Sequence, residues 1–280
     1  MEQMIKSQVD NQTQELKEGG HAVKKVVVFI GTHRKKHTYE AVMEFKQRLE
    51  ELGGVETEVI ALSDYHIKQC TGCKTCFLKG EEFCPLKDDR DLLIGKLMES
   101  DGVVFATPNY SFMCSALMKT FLERLGFIFH RPRFFRKTFT SIVNQGIFGG
   151  GKIVRYLDFV GKGLGFDVVK GSCVTALEPM TGKEKQKRDE ILAAHAKRFH
   201  EGLWLSPDYL PSLLEVVLFR MARTSIRLNL NDSYRDYRYY SDMGWFNSEF
   251  YFPTRLGPLK KIAGWITDAL QNRMSRKRGA

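Results

Sequence analysis

The chain has 280 residues, 43% of them hydrophobic, a formal charge of +10 and six cysteines. That is enough for a full core in one large domain or a domain with an appendage, and the charge leaves phosphorylated ligands, nucleic acid and anionic lipid open as partners. Four cysteines crowded into residues 70–84 do not fit a secreted disulfide framework, which spreads its cysteines through a short chain, and they predict a reducing, cytoplasmic setting. Met1 to Gly20 is polar, without the apolar run of a signal peptide. Arg220, Arg223 and Arg227 interrupt the most apolar late segment, so no stretch reads as a bilayer span.

Residues 1–24 read as a flexible lead. Val26, Val27, Val28, Phe29 and Ile30 form a continuous apolar run ending at Gly31, which predicts a strand buried on both faces. Val42, Phe45, Leu49 and Leu52 recur at helical spacing up to Gly53 and Gly54. Residues 55–62 read as a second strand, and the cysteine loop follows. Asp88 or Asp89 is predicted to cap a helix carrying Leu93, Leu97 and Met98. Residues 103–106 give a third strand, 116–127 a helix and 138–143 a fourth strand. Ile153, Leu157 and Val160 mark another helix; 168–177, interrupted at Gly171, a fifth strand; and 183–203 a fifth helix. This βα alternation over 25–205 predicts an α/β, flavodoxin-like open parallel five-stranded sheet, order 2-1-3-4-5, with helices on both faces.

Residues 206–280 break the rhythm and read as a basic, aromatic, mostly helical C-terminal extension. Residues 207–280 hold 12 Lys/Arg against 7 Asp/Glu. An apolar helix over 211–227 is followed by an aromatic stretch over 234–252. A last amphipathic helix sets Leu259, Ile262, Ala263, Ile266 and Leu270 on one face. That face is expected to pack on the sheet domain, with peripheral membrane contact through 206–280 as the second reading. Acidic residues dilute the basic and aromatic pattern, so no nucleic-acid partner is expected.

Ligands of such sheets bind at the carboxyl ends of the strands. The first loop there, Gly31, Thr32, His33, Arg34, Lys35, Lys36, His37 and Thr38, leads into a helix N-terminus, where backbone amides attract anions. It is neither a dinucleotide fingerprint nor a Walker loop, and it reads as a phosphate site. The third loop runs from Thr107 through Pro108, Asn109, Tyr110, Ser111 and Phe112 to Ser115 and offers a flat aromatic face to a planar heterocycle. The fourth is Asn144, Gln145 and Gly146, followed by Gly149, Gly150 and Gly151, where backbone can approach a ligand closely.

Cys70, Cys73, Cys76 and Cys84 carry the most specific spacing in the chain. Three thiols that close together can converge on one soft metal centre. An iron–sulfur cluster, a loop of thiols holding no metal, and zinc are the alternatives; zinc sites more often use two separated knuckles. Cys114 and Cys173 read as buried small hydrophobes. Arg131, Arg133, Arg136 and Lys137, flanking Phe134 and Phe135, read as a solvated loop. No Ser-His-Asp constellation or carboxylate pair stands out, which disfavours hydrolysis.

On these residues the chain resembles the flavodoxin-like NADPH-dependent FMN reductase family, and within it the iron–sulfur flavoproteins. Cys70, Cys73, Cys76 and Cys84 match their cysteine run after the second strand, and Asp88-Asp89 the acidic step behind it. Pro108, Tyr110, Ser115, Met118 and Lys119 match a segment after the third strand, with Met118 for the usual leucine. Gly31, Thr32, Arg34 and Thr38 match the phosphate loop, which is one residue shorter here and carries Lys36 where a small residue is common. The resemblance covers roughly residues 25–200. It implies noncovalent FMN, a homodimer or larger assembly, and electron transfer through a [4Fe-4S] cluster on the four cysteines.

The resulting expectation is an FMN-dependent oxidoreductase. Gly31, Thr32, Arg34 and Thr38 hold the phosphate. Pro108, Asn109, Tyr110 and Ser111, with Asn144, Gln145 and Gly146, border the ring, and no side chain acts as acid or base. NAD(P)H is a candidate donor, and a redox partner protein or small molecule the acceptor. The alternatives are a cluster-free NAD(P)H-dependent FMN or quinone reductase, and a non-enzymatic anion- or membrane-surface-binding protein on a vestigial fold.

Overall fold

The computed structural model describes residues 23–205 and 210–278, so nearly all of the expected lead over 1–24 lies outside the described residues. Strand β1 (Lys24–Ile30) is central, because both of its faces are covered. Val27 and Phe29 enter one core and Val26, Val28 and Ile30 the other, the period-2 split of an extended chain. It pairs in parallel with β2 (Val55–Ala61) and with β3 (Gly102–Tyr110), Val28 standing opposite Val59 and Val104. β3 pairs in turn with β5 (Thr138–Gln145).

The expected fifth strand is two short ones, β6 (Asp167–Val168) and β7 (Ser172–Thr175), both parallel to β5. The break has a physical cause. A Cβ on Gly171 would lie 2.6 Å from the Ser141 carbonyl oxygen, and the Gly171 amide donates instead to Asp158 Oδ1 at 3.2 Å. A further pair of residues, β4 (Met113–Cys114), folds back antiparallel on β3. The sheet thus has seven strands in the order β2-β1-β3-β5-β6, the expected architecture with two additions.

Helices α1 (His37–Glu51) and α6 (Gly182–Leu203) cover one face, burying Phe45, Leu49, Leu192 and Phe199 against β1 and β3. The short α2 (Thr75–Leu78) lies in the cysteine loop. The other face buries Leu93, Phe121 and Leu157 from α3 (Arg90–Glu99), α4 (Ala116–Arg124) and α5 (Gly150–Leu164).

The extension forms α7 (Leu213–Asn229), α8 (Arg235–Asp242) and α9 (Pro258–Arg278) around its own aromatic core of Phe219, Tyr240, Trp245 and Phe250. Phe135 of the sheet domain enters that core, its ring centroid 5.0 Å from that of Tyr251. The segment read as a solvated loop is therefore an inter-layer contact, and Arg131 within it has no exposed surface. Helix α9 departs from expectation in the opposite sense. Its apolar stripe faces outward, because Asp268 on the other face pairs with Arg220 and Arg223 of α7.

Candidate functional site

All three predicted ligand loops emerge at the carboxyl end of the parallel strands, as the topology requires. In the first, Gly31 and Thr32 are buried and Arg34 is exposed. A Cβ on Gly31 would sit 2.7 Å from Met118 Cβ, so only glycine lets this loop lie against α4. Ser115, the N-cap of α4, ties the first loop to the third. Its hydroxyl donates to the Gly31 carbonyl at 2.5 Å and accepts from the Met118 amide at 3.1 Å. Thr32 Oγ1 accepts from the Arg34 amide at 3.3 Å, and Thr38 is buried in the first turn of α1, whose N-terminus has no side-chain cap. Its first-turn amides thus remain for an anion. Arg34 Nη2 reaches the Tyr110 hydroxyl at 3.2 Å, and that hydrogen bond raises the guanidinium pKa.

Glu178, beyond β7, lies 2.8 Å from His37 Nε2 and 3.7 Å from Lys36 Nζ. Lys36, the departure from the family's small residue, is thus engaged with a carboxylate. Lys119 likewise turns to Glu123 at 2.7 Å.

The third loop is a tight hairpin between β3 and β4. Ser111 and Phe112 both have positive φ, 49° and 63°, a left-handed conformation unusual for a bulky side chain. The turn holds the Phe112 ring out over Gly149, where a Cβ would be 2.9 Å from it, and beside Phe148 at a centroid distance of 5.4 Å. Asn109 Nδ2 donates to the Phe148 carbonyl at 2.9 Å, which joins the third loop to the fourth. Gln145 spends its side chain within the fourth loop: Oε1 accepts from the Gly150 amide at 2.7 Å and Nε2 donates to Thr175 Oγ1 at 3.1 Å. It shapes the rim. Gly146 faces open space.

Asn109 Oδ1 and Asn144 Oδ1 are shielded acceptors without a protein donor. Buried acceptors of this kind call for a partner. Two of them, beside exposed Tyr110 and Phe112 and an uncapped helix start, suit a planar ring bearing N–H groups and a phosphate tail. The residues present therefore fit FMN.

The cysteine loop leaves the end of β2 and packs under α4. Asp88 and Asp89 tie its two ends together: Asp88 Oδ2 accepts from the Lys68 amide at 2.9 Å and Asp89 Oδ2 from the His66 amide at 2.7 Å. Asp88 also meets the start of α3, its Oδ1 accepting from the Arg90 amide at 3.3 Å, while Asp89, the N-cap residue, makes no side-chain cap bond. Arg124 of α4 donates to Asp88 Oδ1 at 2.9 Å and to Cys84 Sγ at 3.3 Å. Burial pushes the Cys84 thiol up, but the Arg124 hydrogen bond and charge outweigh it and leave the thiol below its ordinary range. A hydrogen bond with Thr75 lowers Cys73, and burial raises Cys76. Cys70 and Cys73 are exposed, Cys76 is half-buried and Cys84 is buried. Among the described residues no group of three or more His, Cys, Asp or Glu is gathered closely enough to hold a metal. The structure fixes the base of the loop without converging its four sulfurs. The donor set nevertheless fits a thiolate-bound cluster in chemistry: four thiols stand in one loop, and a buried guanidinium biases one of them toward thiolate.

A second layer, unread in the sequence, holds this loop from below. Arg131 Nη2 donates to the Cys76 carbonyl at 3.0 Å and to Glu81 Oε2 at 2.9 Å, while Nη1 pairs with Asp236 of α8. Arg133 reaches the other Glu81 oxygen at 3.1 Å, and Arg238 of α8 donates to the Lys79 carbonyl at 3.0 Å. The Glu81 carboxyl, pushed up by burial, is held below its ordinary range by Arg131 and Arg133. Cys114 is buried as expected, whereas Cys173 is half-buried against the same core; burial raises both thiols, Cys173 to about 11.

Comparison with known proteins agrees with this geometry. Residues 24–177 match the NADPH-dependent FMN reductase family. An iron-sulfur flavoprotein of Archaeoglobus fulgidus is 34% identical over 157 residues, 52% of this chain and 70% of that one. A second from the same organism is 28% identical over 185 residues, 62% of this chain and 90% of the other. Among solved structures, RosB with bound 8-demethyl-8-formylriboflavin-5′-phosphate superposes with a TM-score of 0.53 at 16% identity, over 84% of this chain and 92% of that one, a likeness of fold. The chain belongs to the NADPH-dependent FMN reductase family, close to its iron–sulfur flavoproteins, and is an FMN-dependent oxidoreductase.

Proposed function

We propose that the protein is an electron-transfer flavoprotein that pairs FMN with a [4Fe-4S] cluster on Cys70, Cys73, Cys76 and Cys84. The observation that carries this reading is the pre-tied cysteine loop. Its ends are closed by Asp88 and Asp89, and its carbonyls are held by buried Arg131 and by Arg238. A loop of spare thiols needs no such anchoring. When bound, FMN supplies one- and two-electron redox chemistry and the cluster one-electron chemistry.

The chain's own residues bind and orient. Gly31, Thr32, Arg34 and Thr38 receive the phosphate at the N-terminus of α1. Pro108 to Ser111 and Asn144 to Gly146 border the ring, with Asn109 Oδ1 and Asn144 Oδ1 as its acceptors and Gln145 keeping the rim in shape. NAD(P)H or a reduced carrier is the donor, a redox protein or small molecule the acceptor, and a homodimer or larger assembly the working form. The non-enzymatic reading gives way to the family match.

A second reading, a cluster-free NAD(P)H-dependent FMN or quinone reductase, rests on the exposed, unconverged Cys70 and Cys73. Anaerobic purification with visible spectroscopy and iron and sulfide assays separates the two. About four iron and four sulfide per flavin, lost in Cys73→Ser with FMN retained, support the first reading. A clean flavin spectrum without iron assigns the protein to the second.

A further inference from the structure

We propose that helices α7 and α9 form a docking face for anionic phospholipid bilayers, on which the protein lies peripherally. The two helices run parallel, and what joins them is polar. Asp268 pairs with Arg220 at 2.6 Å and Arg223 at 2.8 Å, and Gly264 leaves room for the Arg220 side chain. Both helices carry exposed apolar side chains: Leu214 and Leu218 on α7, and Ile262 (47% exposed), Trp265 (59%), Ile266 (56%) and Leu270 (56%) on α9. This inverts the ordinary surface helix, which turns its apolar stripe inward. A furrow of about 300 Å3 between the helices is lined by Met221, Ala222 and Met274 and by four polar side chains. Exposed apolar side chains gathered on one helix pair mark a binding surface.

Charge selects the occupant. Asp268 is the one acidic residue in α9 and is turned inward, while Glu215, the one in α7, is tied to Ser212 in the N-terminal capping box. The exposed charges these helices themselves carry are basic, Arg227 and Arg273 with Lys260 partly exposed, and Lys261 meets Glu249 of the preceding segment at 3.4 Å. A second copy docked face to face would set arginine against arginine, with no carboxylate on either helix to meet them. A lipid surface with anionic headgroups answers both halves of the pattern, with acyl chains for Ile262 and Ile266 and negative charge for Arg227 and Arg273. Trp265 sits where an amphipathic ring suits the headgroup zone. No helix among the described residues is long and apolar enough to cross a membrane, so the face lies on the bilayer.

The test is co-sedimentation of the full-length, flavin-loaded protein with vesicles of equimolar phosphatidylglycerol and phosphatidylcholine, and with pure phosphatidylcholine. We expect binding to the anionic vesicles about tenfold or more tighter than to the neutral ones, with a blue shift of tryptophan emission that Trp265→Phe abolishes. Ile262→Asp with Ile266→Asp, and separately Arg227→Glu with Arg273→Glu, should each cut binding about tenfold or more, with circular dichroism and flavin absorption unchanged. These positions are exposed, so the fold tolerates the changes. Absence of vesicle binding overturns the proposal, and the full chain includes residues 1–22, so a face already covered by them gives that result. So does binding indifferent to the isoleucine changes, which is adsorption by charge alone. So, too, does a dimer that Ile262→Asp dissociates while vesicles are ignored, which makes the face a contact between copies.

Discussion

Arg131 and Asp236 form an ion pair with both side chains buried, and it bridges the family domain to a helix outside the family match. The same guanidinium holds the Cys76 carbonyl and Glu81, so the C-terminal extension reaches the cysteine loop through one side chain. The extension is thereby part of the loop's support, with Arg238 to Lys79 as a second link.

Asp236→Ala leaves the Arg131 charge buried with Glu81 as its remaining carboxylate. Removing one partner of a buried pair costs about 3–5 kcal/mol, and the low end applies here because Glu81 stays. Urea unfolding should show a loss of unfolding free energy of that size. Amide exchange over 70–84 should rise, while strands β1 and β3 lose only the global share of protection. Arg131→Met with Asp236→Leu should recover most of the stability without restoring protection of the loop.

Gly31 and Gly146 make opposite predictions. A methyl at Gly31 meets Met118 Cβ at 2.7 Å and Ser115 Oγ at 3.1 Å, so it must push the phosphate loop off α4. Such overpacking costs about 1–3 kcal/mol. Gly31→Ala should weaken FMN binding about tenfold, read by quenching of flavin fluorescence. A methyl at Gly146 meets nothing within 4 Å, and Gly146→Ala should bind FMN as the parent does unless the ring itself fills that space. A loss at Gly146 alone would locate the ring there.

The four long strands were legible, as the apolar run from Val26 to Ile30 before Gly31 illustrates, whereas the two-residue β4 was not. The interruption at Gly171 was legible as a glycine within an apolar run, though its cause, the Ser141 carbonyl, was not; the hairpin at Ser111-Phe112 was not read, since it depends on Gly149, far away in sequence. The cysteine spacing was readable as chemistry, whereas its supports were not. Arg124, Arg131 and Asp236 obey no spacing rule, and a charged residue between aromatics reads as solvated until the extension is folded over it. Helix α9 misled because periodicity identifies an apolar face without saying which way that face turns.

Ser111 and Phe112 store strain where the ring is expected to lie. A non-glycine residue in the left-handed region costs about 1–2 kcal/mol, part of which glycine returns through its freer unfolded chain. Phe112→Gly should therefore raise stability by about 0.5–1 kcal/mol in thermal melts, while lowering FMN affinity through loss of the aromatic over Gly149. Unchanged affinity would show that Phe112 serves a partner or substrate rather than the cofactor.

His195 provides the pH prediction. Its ring is wholly buried beside Phe45, with Nε2 2.7 Å from Thr140 Oγ1, and burial pushes its pKa down to about 3. The unfolded chain takes up a proton near the ordinary value of about 6.5, so below that value the unfolded state binds more protons than the native one. Its contribution is full above that value and is lost as pH falls toward 3, at up to about 1.4 kcal/mol per pH unit. His195→Gln, which can keep a hydrogen bond to Thr140, should be less stable than the parent at neutral pH yet lose stability more slowly between those two values. Parallel stability–pH curves for parent and variant would show that the imidazole is already protonated in the fold.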